Sequence, residues 1–175
     1  MIKKKFPHRL VPTWDDYYMA LTYIIASRSK DPSTQVGAII VNKDNRPLGI
    51  GYNGTPQSIP DREINWERPD KYVFIDHAEI NAMDHAEIGY NTLNDCTIYV
   101  SGMPCPNCTR RIIAKKIKRV VYGKTPIKML DENTIKDTSE LIRVSSIYFE
   151  SYQGNINWLR DRMDWLENNL PEIFL

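Results

Sequence analysis

The sequence has little of what secreted, membrane-spanning or nucleic-acid-binding proteins carry. Its three cysteines are an odd number, which argues against a disulfide framework and favours metal binding or catalysis. It lacks an apolar run of the roughly 18–20 residues that a membrane span needs. No apolar segment follows the basic residues after Met1, so we expect no secretory signal and a cytoplasmic location. The formal net charge is only +1, without the basic excess typical of proteins that bind long nucleic acids.

What the sequence does contain is typical of one soluble domain. Of its 175 residues, 42% are apolar and 26% are charged, which is ordinary for a globular protein with a hydrophobic core. We therefore expect a single domain over residues 1–175, with a core at about 12–124 and a partly helical extension at about 125–175.

The spacing of apolar residues predicts helices and strands in alternation. A helix capped by Thr13 should end near Ser29, and the two strands that follow should form a hairpin. In the second half, strands alternate with helices, which predicts parallel pairing. The fold class is therefore α/β, with three layers (α/β/α) and a central mixed sheet. The elements predicted after the first helix are strands at Val36–Val41 and Leu48–Tyr52, a long polar loop at Asn53–Tyr72, a helix from Asp76 to about Gly89, a strand at Thr97–Val100, a helix from Pro106 to about Lys118 and a strand at Arg119–Tyr122.

Beyond Tyr122 the pattern leaves two interpretations open. Apolar residues at helical spacing between Leu141 and Tyr152 fit one face of a helix, whereas Ile147–Phe149 fits a fifth strand of the sheet. The spacing of apolar residues from Ile156 onward predicts a further amphipathic helix.

Cys105 and Cys108 form a Cys-x-x-Cys pair directly after Pro104, at the predicted start of a helix. At the first turn both sulfurs point the same way, and the helix N-terminus favours the thiolate form that binds metal. His77 supplies an imidazole at the start of its own predicted helix. Because catalytic zinc takes three protein ligands and keeps a fourth position open, these three residues predict a catalytic Zn²⁺ site. The cysteine pair taken alone would also fit a structural zinc half-site or a redox pair.

Glu79 stands two residues after His77 and is not expected to bind the metal. A carboxylate placed there can take a proton from a water molecule and deliver it to a departing ammonia. His-x-Glu followed by Pro-Cys-x-x-Cys is the signature of zinc-dependent nucleobase deaminases. The spacing from Asp76 to Glu79 also fits a capping box, in which Glu79 would serve only the helix start.

A second His-Ala-Glu triplet begins at His85. Eight helical residues from His77 amount to about 12 Å of rise and roughly 80° of rotation, so both histidines cannot bind one ion. The second triplet lies away from the predicted helix start. We therefore predict that His77 is the ligand and that His85 is a surface or interface residue.

Five segments of the chain carry a resemblance to a known family, over roughly Tyr18 to Tyr122. They are Arg28-Ser29-Lys30-Asp31-Pro32, Thr34-Gln35-Val36-Gly37-Ala38, Gly51-Tyr52-Asn53-Gly54, His77-Ala78-Glu79-Ile80-Asn81-Ala82 and Pro104-Cys105-x-x-Cys108. The sequence resembles the deoxycytidylate (dCMP) deaminases of the cytidine deaminase superfamily. The zinc motifs are shared across the superfamily, whereas the Arg-Ser-Lys-Asp-Pro and Gly-Tyr-Asn-Gly segments point to dCMP.

The resemblance implies a cytidine-deaminase-like domain with a five-stranded mixed sheet and Zn²⁺ as the catalytic cofactor. It implies hydrolysis of dCMP to dUMP and ammonia, which feeds thymidylate synthesis. Asn53 would then hydrogen-bond the sugar, and Arg28 and Lys30 would lie near the phosphate. The other residues expected around the substrate are Ala78, Ser101, Pro104 and Tyr122.

The resemblance also implies regulation and assembly. We expect a homohexamer that is activated by dCTP, bound with Mg²⁺, and inhibited by dTTP, with Gly51, Tyr52 and Gly54 at the effector site. The chain departs from the family pattern at Thr55–Ser58, which lacks a glycine soon after the proline, and from about Lys128 onward.

Several alternatives stay open at this point. The same zinc site could serve a tRNA or polynucleotide deaminase, although such proteins need a basic groove with aromatic residues. The substrate could instead be dCTP or deoxycytidine. A catalytically silent zinc module is a further alternative, against which Glu79 argues. Arg28 and Lys30 could be a solvated helix end, where cations are favourable in any case, and Tyr122 could simply pack.

Overall fold

Five strands form one mixed sheet in the computed structural model, which describes residues 11–86, 93–124 and 131–169. The strands are β1 (Gly37–Val41), β2 (Pro47–Tyr52), β3 (Thr97–Val100), β4 (Arg119–Tyr122) and β5 (Tyr148–Ser151). They lie in the order β2-β1-β3-β4-β5. β1 pairs antiparallel with β2 and β3, whereas β3, β4 and β5 run parallel. The predicted hairpin, the parallel second half and the five-stranded mixed sheet are therefore confirmed.

Helices cover both faces of this sheet. They are α1 (Trp14–Ala26), α2 (Ala78–Asp84), α3 (Pro106–Ala114), α4 (Glu132–Val144) and α5 (Trp158–Asn169), with 3₁₀ turns at Asp61–Glu63 and Asp70–Val73. On one face, Tyr18 and Met19 of α1 pack against Tyr99 of β3. On the other face, Met83 of α2 and Ile112 of α3 belong to the larger core cluster. This arrangement confirms the three-layer α/β/α prediction.

α2 lies directly on β2 because two glycines of that strand leave room for it. A Cβ atom on Gly51 would stand 2.3 Å from the backbone nitrogen of Ala82 and 2.4 Å from the carbonyl oxygen of Ala78. A Cβ atom on Gly49 would stand 2.3 Å from the carbonyl oxygen of Ala82. No side chain fits at such distances, so a backbone-to-backbone approach that only glycine allows sets the height of α2 above the sheet.

Three helices end earlier than the apolar spacing predicts. The observed and predicted ends are Ala26 against Ser29 for α1, Asp84 against Gly89 for α2 and Ala114 against Lys118 for α3. After α3, Lys116 takes a φ of 61°, a left-handed conformation that does not continue a helix. After α2, Ala86 is still buried in the core, so burial continues past the helix and cannot mark its end. Gly89 itself lies outside the described residues.

The part of the chain after Tyr122 contributes both a helix and a strand. α4 ends at Val144, and the chain then enters β5, which runs parallel to β4. The fifth-strand interpretation is therefore correct, and Tyr148 does not share a helix face with Leu141. The amphipathic helix predicted from Ile156 onward is present as α5. Among the described helices, none has the length and apolar character to cross a membrane.

Candidate active site

Two helix starts bring the predicted metal ligands together. His77 is the N-cap of α2, Cys105 is the N-cap of α3, and Cys108 lies in the first turn of α3. Neither N-cap side chain bonds a backbone N–H of its own helix. The imidazole and both sulfurs therefore remain available to each other and to a ligand.

The entry into α2 differs from the predicted capping box. Asp76 forms an isolated bridge with Gly54, in which Gly54 N donates to Asp76 O over 3.1 Å and Asp76 N donates to Gly54 O over 2.9 Å. The helix begins at Ala78, two residues after the predicted start at Asp76, and His77 is its N-cap. Asp76 therefore does not cap the helix with Glu79, and the bridge places the end of β2 beside the histidine.

The separations of the His77 nitrogen from the two cysteine sulfurs fit those of a tetrahedral zinc ion. His77 Nδ1 lies 3.4 Å from Cys108 Sγ and 3.6 Å from Cys105 Sγ. With zinc–sulfur bonds of about 2.3 Å and zinc–nitrogen bonds of 2.0–2.1 Å, a tetrahedral site needs sulfur–nitrogen separations of about 3.6 Å. Within the described residues this group has three members and no fourth ligand. The residues present therefore fit a catalytic zinc ion with one open position.

Hydrogen bonds among the three predicted ligands shift their pKa values in a way that favours binding of a cation. Hydrogen bonding from the Cys108 thiol lowers the pKa of Cys105 to about 4. The hydrogen bond with Cys105 raises the pKa of His77 to about 9, and the hydrogen bond with Cys105 also raises the pKa of Cys108. One thiolate is thus ready to bind, and a cation held by all three residues would displace the protons on the other two.

Glu79 lies in the first turn of α2 with only 3% of its surface exposed. Burial raises the pKa of its carboxyl group above the ordinary value. A carboxyl group with a raised pKa holds a proton more strongly than an ordinary carboxyl group and is suited to accepting one from a bound water. Its catalytic role stays a prediction, and its position beside the three ligands is compatible with that role.

A cavity of about 520 Å³ opens above these residues. Its lining includes His77, Glu79 and Cys105, and two of the predicted substrate residues, Asn53 and Ala78. The other predicted substrate residues do not line it: Arg28, Lys30, Ser101, Pro104 and Tyr122. Sequence reasoning assigned all seven to one site, and the structure brings two of them to the cavity.

Three of the residues outside the cavity have structural contacts instead. Ser101 Oγ accepts a hydrogen bond from Gly37 N over 3.0 Å. The carbonyl of Pro104 accepts one from Thr138 of α4. The ring of Tyr122 packs on Phe149 of β5, with centroids 5.1 Å apart, which matches the packing alternative for this tyrosine.

The two predicted phosphate residues face away from the cavity. Along the segment after α1, Ser29 and Asp31 are buried whereas Arg28 and Lys30 are exposed. Ser29 Oγ donates to the Asn53 carbonyl over 2.7 Å, which turns the buried side of this segment inward. Lys30 lines a second cavity instead, so the phosphate role of Arg28 and Lys30 stays a prediction that their position does not favour.

A buried ion pair in the cavity wall was not predicted. Lys71 Nζ lies 2.5 Å from Asp31 Oδ2, and both side chains are only 1% exposed. Lys71 Nζ also donates to Ser33 Oγ over 2.7 Å, and Asp31 Oδ1 accepts from the backbone of Ser33 and Thr34. Asp31 stood within a motif of the family resemblance, but no local spacing connects it with a lysine 40 positions along the chain.

Asn53 is also engaged in this wall. Its Oδ1 accepts from Val36 N over 2.8 Å, and its Nδ2 donates to the Thr34 carbonyl over 2.9 Å. Nδ2 also approaches Asp31 Oδ2 at 3.4 Å. The side chain therefore holds the 34–36 segment in place, and the predicted bond to a sugar would use the remaining acceptor capacity of Oδ1.

The second cavity has a volume of about 560 Å³ and lies at the other end of α2. Gly51, Tyr52 and Gly54, the three predicted effector residues, line it together with Lys30 and His85. His85 is exposed at the C-cap of α2, in agreement with its prediction as a surface residue. The two His-Ala-Glu triplets thus begin at opposite ends of one helix.

A His/Cys/Cys group with an open position, a buried glutamate two residues from the histidine, and a three-layer α/β fold together define the class of zinc-dependent nucleobase deaminases. The family model described as the cytidine and deoxycytidylate deaminase zinc-binding region matches residues 12–124. The chain belongs to this family and is a deaminase.

Known relatives agree with this assignment. The deoxycytidylate deaminase of Homo sapiens is 39% identical over 127 residues, which cover 69% of this chain and 70% of that protein. The deoxycytidylate deaminase of Mus musculus is 41% identical over 127 residues, with the same shares of 69% and 70%. The crystal structure of dCMP deaminase from the cyanophage S-TIM5 is similar in fold, with a TM-score of 0.61 at 23% identity over 82% of this chain and 100% of that chain.

Proposed function

We propose that this protein hydrolyses dCMP to dUMP and ammonia and so supplies dUMP for thymidylate synthesis. The observation that carries the proposal is the His77, Cys105 and Cys108 group with Glu79 buried beside it at one cavity. The choice of dCMP is supported by deoxycytidylate deaminases that are 39–41% identical over 127 residues.

His77, Cys105 and Cys108 would hold the zinc ion. Zinc bound there would lower the pKa of a water molecule towards about 7 and so supply a nucleophile at neutral pH. Glu79 would accept a proton from the water oxygen as that oxygen adds to C4 of cytosine. The same carboxyl group would then pass that proton to the exocyclic nitrogen, which leaves as ammonia, and the hydroxyl proton at C4 would move to ring nitrogen N3 as the carbonyl forms.

The walls of the cavity would orient the nucleotide. Ala78 would contact the base as part of the cavity lining, and Asn53 would contact the sugar through Oδ1. α4 reaches the same cavity through Asp131 and Thr134. We therefore propose that the extension at about 125–175 and the core at about 12–124 work as one domain.

We also propose regulation at the second cavity, by dCTP with Mg²⁺ as activator and by dTTP as inhibitor. Gly51, Tyr52 and Gly54 share this cavity with the cation of Lys30 and the amide of Asn81, a combination that suits a phosphorylated nucleotide. We propose a homohexamer on the resemblance to the family.

The direct test is steady-state kinetics on dCMP beside deoxycytidine, dCTP, single-stranded DNA and tRNA. We expect turnover of dCMP with the highest kcat/KM and about one zinc ion per chain by elemental analysis. Turnover confined to a polynucleotide would overturn the choice of substrate. The dCMP assay repeated with dCTP and Mg²⁺, and with dTTP, tests regulation, and an unchanged rate in both would remove that part of the proposal.

A further inference from the structure

The basic side chains that line the active-site cavity differ in whether a carboxylate already neutralises them. Apart from the predicted metal ligand His77, two basic side chains contribute to the described part of this lining, Arg68 and Lys71. Lys71 is paired with the buried carboxylate of Asp31, so the pair presents little net charge to a ligand. Arg68 is exposed at the cavity rim and, within the described residues, forms no ion pair.

The contacts of Arg68 hold its guanidinium group without neutralising it. Nη2 donates to the Thr34 hydroxyl over 2.8 Å, and the guanidinium carbon lies 5.9 Å from the centre of the Tyr72 ring. A neutral hydroxyl and an aromatic face restrain the side chain while most of its N–H donors stay available. Arg68 is therefore an ordered positive charge at the mouth of the cavity.

The buried ion pair fixes both sides of this arrangement. Lys71 follows Arg68 by three residues, and Asp31 precedes Thr34 by three residues. The bond between Lys71 and Asp31 thus ties the segment that carries Arg68 to the segment that carries its hydrogen-bond partner. A cation that is already held in place loses less side-chain entropy on binding an anion.

The exposed carboxylate of the lining, that of Asp131, is engaged elsewhere. Asp131 accepts hydrogen bonds from Thr134 N over 2.8 Å and from Thr134 Oγ1 over 2.6 Å, at the start of α4. Glu79 lies buried beside the metal ligands, at the inner end of the cavity. A substrate that places its base at Glu79 would therefore direct its outer end towards the exposed rim.

We propose that Arg68 binds the 5′-phosphate of the nucleotide and determines the preference for a nucleoside monophosphate over a nucleoside. This inference rests on the proposed function, and it replaces Arg28 and Lys30 in the phosphate role. The planar guanidinium group suits two parallel hydrogen bonds to phosphate oxygens. Arg68 is a specificity-determining residue of the substrate site, and Lys71 and Asp31 are positioning residues that act through it.

The test compares kcat/KM for dCMP and for deoxycytidine in Arg68→Gln, Arg68→Lys and Arg62→Gln. Arg62 is a matched control because it lies in the same long loop, is 85% exposed and is not part of the cavity lining. We expect Arg68→Gln to lower kcat/KM for dCMP roughly 10- to 100-fold and to leave the deoxycytidine value within about twofold, as for the loss of charge-assisted hydrogen bonds. Arg68→Lys should retain part of the preference, and Arg62→Gln should match the wild type.

Calorimetric titration with dUMP and with deoxyuridine gives a second readout that does not need turnover. Arg68→Gln should weaken dUMP binding and leave deoxyuridine binding unchanged. If the wild type prefers dCMP and Arg68→Gln keeps that preference, the inference is wrong and the proposed function stands. If Arg28→Gln or Lys30→Gln loses the preference instead, the phosphate site is where the sequence predicted it. A wild type with equal kcat/KM on dCMP and deoxycytidine would contradict the proposed function itself.

Discussion

Two cavities of similar size, about 520 and 560 Å³, lie at the two ends of α2, and each receives one of the two histidines that begin a His-Ala-Glu triplet. His77, at the N-cap, meets Cys105 and Cys108. His85, at the C-cap, meets no cluster of metal-ligating residues within the described chain. A His-Ala-Glu tripeptide therefore does not form a metal site by itself. Its position at one end of α2 or the other determines which residues lie near its histidine.

The difference follows from the geometry of a short helix. α2 has seven residues, and its two flanking histidines are about 12 Å apart along the axis at 1.5 Å per residue. The start of α2 lies beside the start of α3, where two sulfurs converge, whereas Ala86, just after its end, lies beside Gly49 of β2. Only one of the two histidines can therefore complete a zinc site.

The largest difference between the cavities should appear when each histidine is removed in turn. His77→Ala should lose zinc and lower kcat by at least about 10⁴-fold, because the water would keep its ordinary high pKa. His85→Ala should keep about one zinc ion and the activity measured without effectors. Elemental analysis and dCMP kinetics on both variants check this, and zinc loss from His85→Ala alone would reverse the assignment.

A second large effect should separate metal binding from proton transfer within the first cavity. Glu79→Gln should keep its zinc, because Glu79 is not one of the three ligands. Its kcat should fall by roughly 10²- to 10⁴-fold, the usual contribution of a general acid–base group. Zinc content and kcat are measured on the same preparation, with Cys108→Ser as the variant that should lose both. An active Glu79→Gln enzyme would contradict the mechanism.

Loss of the buried ion pair in the wall of the first cavity should lower the free energy of unfolding. Lys71→Met leaves the Asp31 carboxylate buried without its charged partner, and such a loss destabilises a protein by about 3–5 kcal/mol. Urea unfolding monitored by circular dichroism measures the change. Glu140→Gln is the control, because its ion pair with Arg143 is exposed on α4 and should matter little. Equal stability of Lys71→Met and wild type would show that the pair is dispensable.

The smallest effect is expected in a cluster that lines neither cavity. Hydrogen bonding to Arg119 lowers the pKa of Asp15. Because the folded pKa is below the unfolded value of about 3.9, this carboxylate stabilises the fold above that pH, and the contribution is lost as the pH falls through the folded pKa. Asp15→Asn should therefore lose less than about 1 kcal/mol at pH 7, since the pair is partly exposed.

Unfolding of Asp15→Asn and wild type at pH 7 and at pH 3 measures this contribution. The difference between the two proteins should shrink at the lower pH, while zinc content and kcat at pH 7 stay unchanged. A difference that grows towards acid pH would contradict the sign of the pKa shift.

Much of the fold followed from local patterns, and the failures have a common cause. The strands of the core were predicted to within one residue, because short apolar runs between turn residues leave little choice. Helix ends were less accurate, as at Ala86, which is buried although α2 has already ended. Burial depends on what packs against a residue, so apolar spacing alone cannot place a helix end.

Some residues of the candidate site could be predicted from local sequence motifs, and others could not. His77, Glu79, Cys105 and Cys108 could be chosen from the sequence because each motif is contained within four residues at a helix start. Arg68 and the pair of Lys71 and Asp31 could not, since they belong to segments about 40 residues apart that meet only in the folded chain.

The sequence by itself determined the cluster of His77, Cys105 and Cys108, the carboxyl group beside it and the order of strands and helices, because short-range spacing at a helix start dictates where those side chains point. Only the tertiary structure decided which basic side chains line the first cavity. Arg28 and Lys30 alternate with the buried Ser29 and Asp31, and the side of that segment that turns inward is set by its long-range bonds to Lys71 and Asn53.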